Sequence, residues 1–119
     1  MLAATDPANP YGALLKWPVP GLMRVPGASV ILVNGMLAAY VGRGEKQLSV
    51  FLPEDEPMRG TTAKEIARVL ASLVTNGLRR ALLIGEINDA PATKSDLGSY
   101  LAEAGFAATA MGYQMRAVR

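Results

Sequence analysis

Glu54, Asp55 and Glu56 stand side by side between Pro53 and Pro57 and form the one run of carboxylates in the sequence. Carboxylates of this kind hold Mg²⁺ or Ca²⁺ when they converge on one ion. Three successive positions in a proline-bounded turn diverge instead, and such a charge run faces water. Gly42-Arg43-Gly44 carries two glycines of a phosphate loop. It lacks the third glycine and the strand–loop–helix setting, and GxxxxGK[ST] occurs nowhere, so these glycines read as turn residues. The chain has no histidine and no cysteine. Ser–His and Cys–His nucleophiles, histidine–zinc sites, thiolate ligation and disulfides are therefore all excluded within it. The sequence offers no catalytic set, no cofactor-binding set and no metal set.

Cations remain. Arg43 and Lys46 share one turn, Lys16 neighbours Trp17, Arg79-Arg80 follow a helical stretch, and Arg116 and Arg119 close the chain. A cation beside an aromatic ring can grip a phosphate while the ring stacks on a base. Lys16, Trp17, Arg43, Lys46 and Arg116 are accordingly the candidate nucleic-acid contacts. The competing reading is solubilising surface charge with Trp17 tucked into the edge of the core. Twelve basic residues against ten acidic ones leave a net charge of only +2, which permits nucleic-acid contact without announcing it. No apolar run approaches the roughly 20 residues of a membrane span. Asp6 and two early prolines stand where a signal peptide would carry a positive and then an apolar segment. A cytoplasmic protein is the expectation.

These side chains need a scaffold, and 119 residues, half of them hydrophobic, suffice for one domain with a modest core. Residues 1–27 are punctuated by Pro7, Pro10, Pro18, Pro20 and Pro26, yet carry Leu14, Leu15, Trp17, Leu22 and Met23. They read as an irregular arm laid across another surface and ordered by its side chains. Residues 28–119 have regular grammar. Val30–Val33, Asn34-Gly35 and Met36–Val41 spell a hairpin with a type I′ turn. A turn at 42–46 leads to a third strand at 47–52, where Leu48, Val50 and Leu52 share one face. Thr62 and Glu65 form a capping box before Ile66, Val69, Leu70, Leu73 and Val74 at helical spacing, and Asn76-Gly77 supplies the stop. A fourth strand covers 82–87. A shorter helix capped by Thr93 or Ser95 carries Leu97, Tyr100 and Leu101 and closes at Gly105. A last strand includes Tyr113 and Met115. The expected class is α+β, order β-β-β-α-β-α-β, with a mostly antiparallel sheet or partly open barrel. Val30, Leu32, Val50, Ile66, Leu70, Leu73, Ile84 and Leu101 are the expected core.

The string Asp6-Pro7-Ala8-Asn9-Pro10-Tyr11-Gly12, running on to Trp17-Pro18, resembles a segment near the C-terminal end of the Lhr-type (large helicase-related) superfamily 2 proteins. Further pieces fall in the family's order: the Asn34–Tyr40 hairpin, Arg43-Gly44, Leu48 with Phe51, Glu86-Ile87-Asn88, Ser95 and Ala104-Gly105-Phe106. The resemblance covers essentially the whole chain. It implies a barrel-like C-terminal domain of an ATP-dependent 3′-to-5′ DNA helicase of DNA repair, with the arm joining it to a preceding winged-helix domain. ATP and Mg²⁺ would belong to the parent's motor domains and DNA, single-stranded or in an RNA:DNA hybrid, to the parent's substrates. The chain would be a piece of that longer protein, and no membrane is implied. Lys16 stands where the family pattern carries proline, and Gly85 and Ala90 replace more polar residues.

Three functions follow. The first is a non-catalytic nucleic-acid-binding or docking module, favoured if a basic groove lies between the 42–46 turn and the arm. The second is a share in a DNA glycosylase site like that of the AlkZ group, with Glu86 and Asp89 as carboxylates able to position a water. The relatives' Gln-hydrophobic-Gln string is missing here. The third is a protein–protein or oligomerisation module using an exposed apolar face of the arm.

Overall fold

The computed structural model describes residues 1–117; Arg119, one of the cations noted above, lies outside them. In chain order the strands are β1 (Leu2–Ala3), β2 (Ser29–Val33), β3 (Met36–Val41), β4 (Gln47–Val50), β5 (Ala81–Ile84), β6 (Glu86–Ile87), β7 (Ala90–Pro91), β8 (Ala107–Thr109) and β9 (Gly112–Arg116). The helices are α1 (Met58–Thr75) and α2 (Gly98–Ala104), with 3₁₀ turns at Arg43–Glu45 and Ala92–Lys94. The fold is α+β, as the sequence predicts. One sheet has six strands in the order β1-β2-β3-β4-β6-β7, the other three in the order β5-β9-β8. Every pairing is antiparallel except β4 with β6. The strands close no barrel among the described residues.

The β2–β3 turn follows its sequence signal: Asn34 and Gly35 both take positive φ, 53° and 78°, as a type I′ turn requires. The expected fourth strand at 82–87 divides at Gly85. Its first half, β5, pairs with β9, and its second half, β6, pairs with β4 in the other sheet. The buried side chains Leu82, Ile84 and Ile87 shift phase across this glycine, from a spacing of two to a spacing of three.

Helix α1 begins at Met58, four residues before the expected capping box. Thr62 is 4% exposed and sits inside the helix, one turn before the fully buried Ile66. Glu65 pairs with Arg68 rather than with a free amide. The helix start is held instead by Glu56, whose Oε1 accepts a hydrogen bond from the Gly60 N–H at 2.7 Å. Glu54, Asp55 and Glu56 are exposed, as expected of a solvated turn. Ser95 caps a local turn by accepting the Leu97 N–H at 3.1 Å, and α2 starts at Gly98. There the Tyr113 hydroxyl occupies the space a Cβ would take. Gly105 ends α2 with φ 115°.

Two clusters of buried side chains lie on the two faces of the large sheet. The main one packs Ile31, Ala39, Val41, Leu48 and Val50 under α1 (Ile66, Leu70, Leu73) and α2 (Leu101), together with Ile84 and Phe106. The second contains Ala4, Tyr11, Ala28, Val30 and Leu37 and is covered by residues 1–27. Leu32, expected in one core with the helices, is half-buried and packs on this second cluster. The surface the arm crosses is thus the chain's own sheet.

Candidate nucleic-acid interface

The turn at 42–46 presents Arg43 and Lys46, and its shape is set locally. The Gly42 N–H donates to the Gln47 carbonyl at 2.9 Å, and the Glu45 N–H to the Gly42 carbonyl at 3.0 Å. Gly44 and Glu45 take φ of 81° and 62°, left-handed values that glycine adopts freely and glutamate does not. Something must therefore hold Glu45. Arg79 does so: its Nε donates to Glu45 Oε1 at 2.7 Å, and the Glu45 side chain is only 12% exposed. This hydrogen bond to Glu45, followed by the charge of the same carboxylate, raises the pKa of Arg79 above its ordinary value.

Lys46 anchors the other end of the turn. Its carbonyl accepts the N–H groups of Gly85 and Glu86 at 2.8 and 3.1 Å, and its stem runs beside Gly85. The turn is thereby tied to β5 and to the crossing between the sheets. Arg116 lies opposite Ala81 on β9, and the Ala117 N–H donates to the Arg80 carbonyl at 2.7 Å. Hydrogen bonds and strand pairing therefore link the turn of Arg43 and Lys46 to the segments of Arg79, Arg80 and Arg116, with Lys46 beside Gly85 at one end of β5 and Arg116 opposite Ala81 at the other. Glu45 is the single carboxylate within those three short segments, and Arg79 neutralises it. Arg43 is exposed and spends one donor on the Pro26 carbonyl, 2.9 Å away, with its side chain over Gly27.

Three of the five candidates read from the sequence thus lie on linked segments, and Arg79 and Arg80 join them. The sequence shows these two as a pair of cations but not their place near the turn, because the contact that recruits Arg79 spans 34 positions. Lys16 and Trp17 lie on the arm instead. The Trp17 ring is half-buried, 6.1 Å from the Tyr11 ring in a stacked pair and 5.5 Å from the Tyr40 ring at right angles. It is engaged in packing on both of these rings. Lys16 is exposed beside it.

The arm owes its order to side chains that the sequence reading quoted only as a motif. Asp6 Oδ1 accepts the Ala8 N–H at 2.8 Å. Asn9 is 1% exposed, and its amide donates to the Ala4 and Tyr11 carbonyls while its Oδ1 accepts the Tyr11 N–H. The Tyr11 hydroxyl accepts the Leu37 N–H at 3.0 Å, just past the irregular register between Ile31 and Leu32. Arg24 gives its guanidinium to the carbonyls of Thr5, Asp6, Asn9 and Tyr11, so this cation is structural.

Between the arm and the 42–46 turn runs a groove of about 350 Å³. Residues 19–22 form one wall, Tyr40, Gly42, Gln47 and Ser49 the floor, and Glu86 with Asp89 the other wall. A basic groove at this place is what would favour a nucleic-acid-binding module. The fold lines it with two carboxylates and sets the cations beside it. Among the described residues no group of three His, Cys, Asp or Glu side chains could hold a metal ion, and no helix is long and apolar enough to cross a membrane.

No protein-family profile matches the chain. Two curated relatives do. The chain is 32% identical over 115 residues to the "Lhr helicase/uracil glycosylase" of Escherichia coli strain K12, an alignment covering 93% of this chain and 7% of that protein. It is 36% identical over 129 aligned positions to the "Lhr helicase/ probable uracil glycosylase" of Mycolicibacterium smegmatis, covering 98% of this chain and 8% of that protein. The chain therefore spans less than a tenth of the length of either relative.

Proposed function

We propose, on the premise that this chain is the counterpart of one segment of the Lhr helicases, that it is a non-catalytic accessory domain of an ATP-dependent DNA helicase of DNA repair. In this reading it lies near the C-terminal end of a cytoplasmic parent, next to a winged-helix domain, and helps hold nucleic acid by its phosphates. The observation that carries the reading is that backbone pairing and the Arg79–Glu45 bond link the segments that carry Arg43, Lys46, Arg79, Arg80 and Arg116. Surface cations placed this way neutralise phosphates without reading sequence. ATP and Mg²⁺ belong to other parts of the parent.

A titration of labelled single-stranded DNA at two salt concentrations tests it. Affinity in the non-specific range of about 10⁻⁴–10⁻⁶ M that falls steeply with salt supports the reading. Binding indifferent to salt contradicts it.

A second reading draws on one observation: Glu86 and Asp89 line a groove, and the names of both relatives include a uracil glycosylase. A carboxylate that positions water for base excision works best in a site closed to solvent, whereas both of these residues are exposed. The non-catalytic reading is therefore preferred. Release of uracil from DNA by this chain alone would reverse that preference.

A further inference from the structure

We infer that the groove beside the cationic turn is a slot for one unpaired base and that it favours cytosine over thymine or uracil; the inference rests on the proposed contact with DNA phosphates. Two features lie next to each other. Lys46 and Gln47 are consecutive, yet Lys46 belongs to the cationic turn while Gln47 is in the groove floor. A strand whose phosphates lie on the cations brings a base to the groove, and the carboxylates there repel phosphate, which fixes which side of the strand faces in.

The groove is built rather than incidental. Asn88 and Asp89 form the β6–β7 turn with φ of 54° and 64°. The Asn88 side chain locks that turn onto β4, its Oδ1 accepting the Val50 N–H at 2.8 Å and its amide donating to the Val50 carbonyl at 3.4 Å. Asp89 is thereby held at the groove wall. Glu86 is oriented by Gln47, whose Nε2 donates to its Oε1 at 3.1 Å. Neither Glu86 nor Asp89 makes an ion pair among the described residues.

The chemistry of that lining selects a base. Carboxylates accept hydrogen bonds from the cytosine N4 amino group. The second N–H of the Gln47 amide and the Ser49 hydroxyl can donate to cytosine N3 and O2. Thymine and uracil carry O4 where cytosine carries the amino group, so an acceptor would meet a carboxylate, and like-signed juxtaposition rejects a ligand. A volume of about 350 Å³ is near the lower bound of small-molecule pockets, about 300–1,000 Å³, which suits a single pyrimidine.

The test compares labelled oligo-dC and oligo-dT of equal length by fluorescence anisotropy at neutral pH, with the wild-type chain and a Glu86→Gln, Asp89→Asn variant. Both positions are exposed, and asparagine tolerates the left-handed backbone at position 89, so the variant keeps its fold. The wild type should bind oligo-dC about tenfold more tightly, the usual scale of one good base contact. The variant should bind both oligomers at least as well and lose the preference. Equal wild-type affinities, or a preference that survives in the variant, would overturn the inference while leaving the phosphate contact standing. Failure of the wild type to bind either oligomer would overturn both.

Discussion

Arg79 Nε donates to Glu45 Oε1 at 2.7 Å, joining the turn after β3 to the residue two before β5. Together with the hydrogen bonds from the Gly85 and Glu86 N–H groups to the Lys46 carbonyl, this bond ties the 43–46 segment to β5 and the residues just before it. It also compensates for the left-handed backbone at Glu45 (φ 62°).

Glu45→Gln keeps the shape of the side chain and removes the charge. Exposed and half-exposed ion pairs contribute about 0.2–1 kcal/mol, so the melting temperature should fall slightly. Single-stranded DNA should bind more tightly at low salt, since Arg79 is then unneutralised. A thermal melt and an anisotropy titration of the same sample check both; weaker binding at low salt would show that Glu45 matters for geometry alone.

Asn9→Ala should destabilise the chain by about 1–3 kcal/mol, the cost of leaving buried polar groups without partners. Asn9 satisfies the Ala4 carbonyl and the Tyr11 N–H at 1% exposure. Urea denaturation reads the change as a lower midpoint. An unaltered midpoint would mean that the arm contributes nothing to the stability of the sheet it covers.

Leu70→Ala should cost about 2–5 kcal/mol by the cavity it opens, because Leu70 is fully buried between α1 and the main sheet. The same denaturation series measures it. A loss well below Asn9→Ala would invert the ranking of the two clusters.

Much of this architecture was legible because local chemistry and tertiary packing agree. Asn34-Gly35 demands its turn, and Ile66, Leu70 and Leu73 fall on one helical face that is buried. Where the two levels compete, the sequence misleads. Thr62 and Glu65 have cap spacing, but Thr62 also lies on the buried face of α1, and burial wins. Gly85 reads as an interior strand residue, yet the Lys46 carbonyl takes its N–H and the chain passes there into the second sheet. At the candidate interface, Arg43 and Lys46 were visible as neighbours in sequence. Arg79 and Arg80 were visible as a pair but their contact with the turn was not, and Trp17, which looks like a stacking platform, is engaged by Tyr11 and Tyr40.

The central claim is that the cations of the 43–46 turn and the segments linked to it hold nucleic-acid phosphates, and Arg43→Glu with Lys46→Glu tests it most directly. Both residues are exposed and outside either cluster, so the melting temperature should stay close to that of the wild type. Single-stranded DNA affinity, measured by anisotropy at two salt concentrations, should drop for every sequence alike, and the slope of log affinity against log salt should flatten by roughly the two lost contacts, about 0.7 per phosphate. Equal affinity and equal slope for wild type and variant would remove this turn from the path of the DNA.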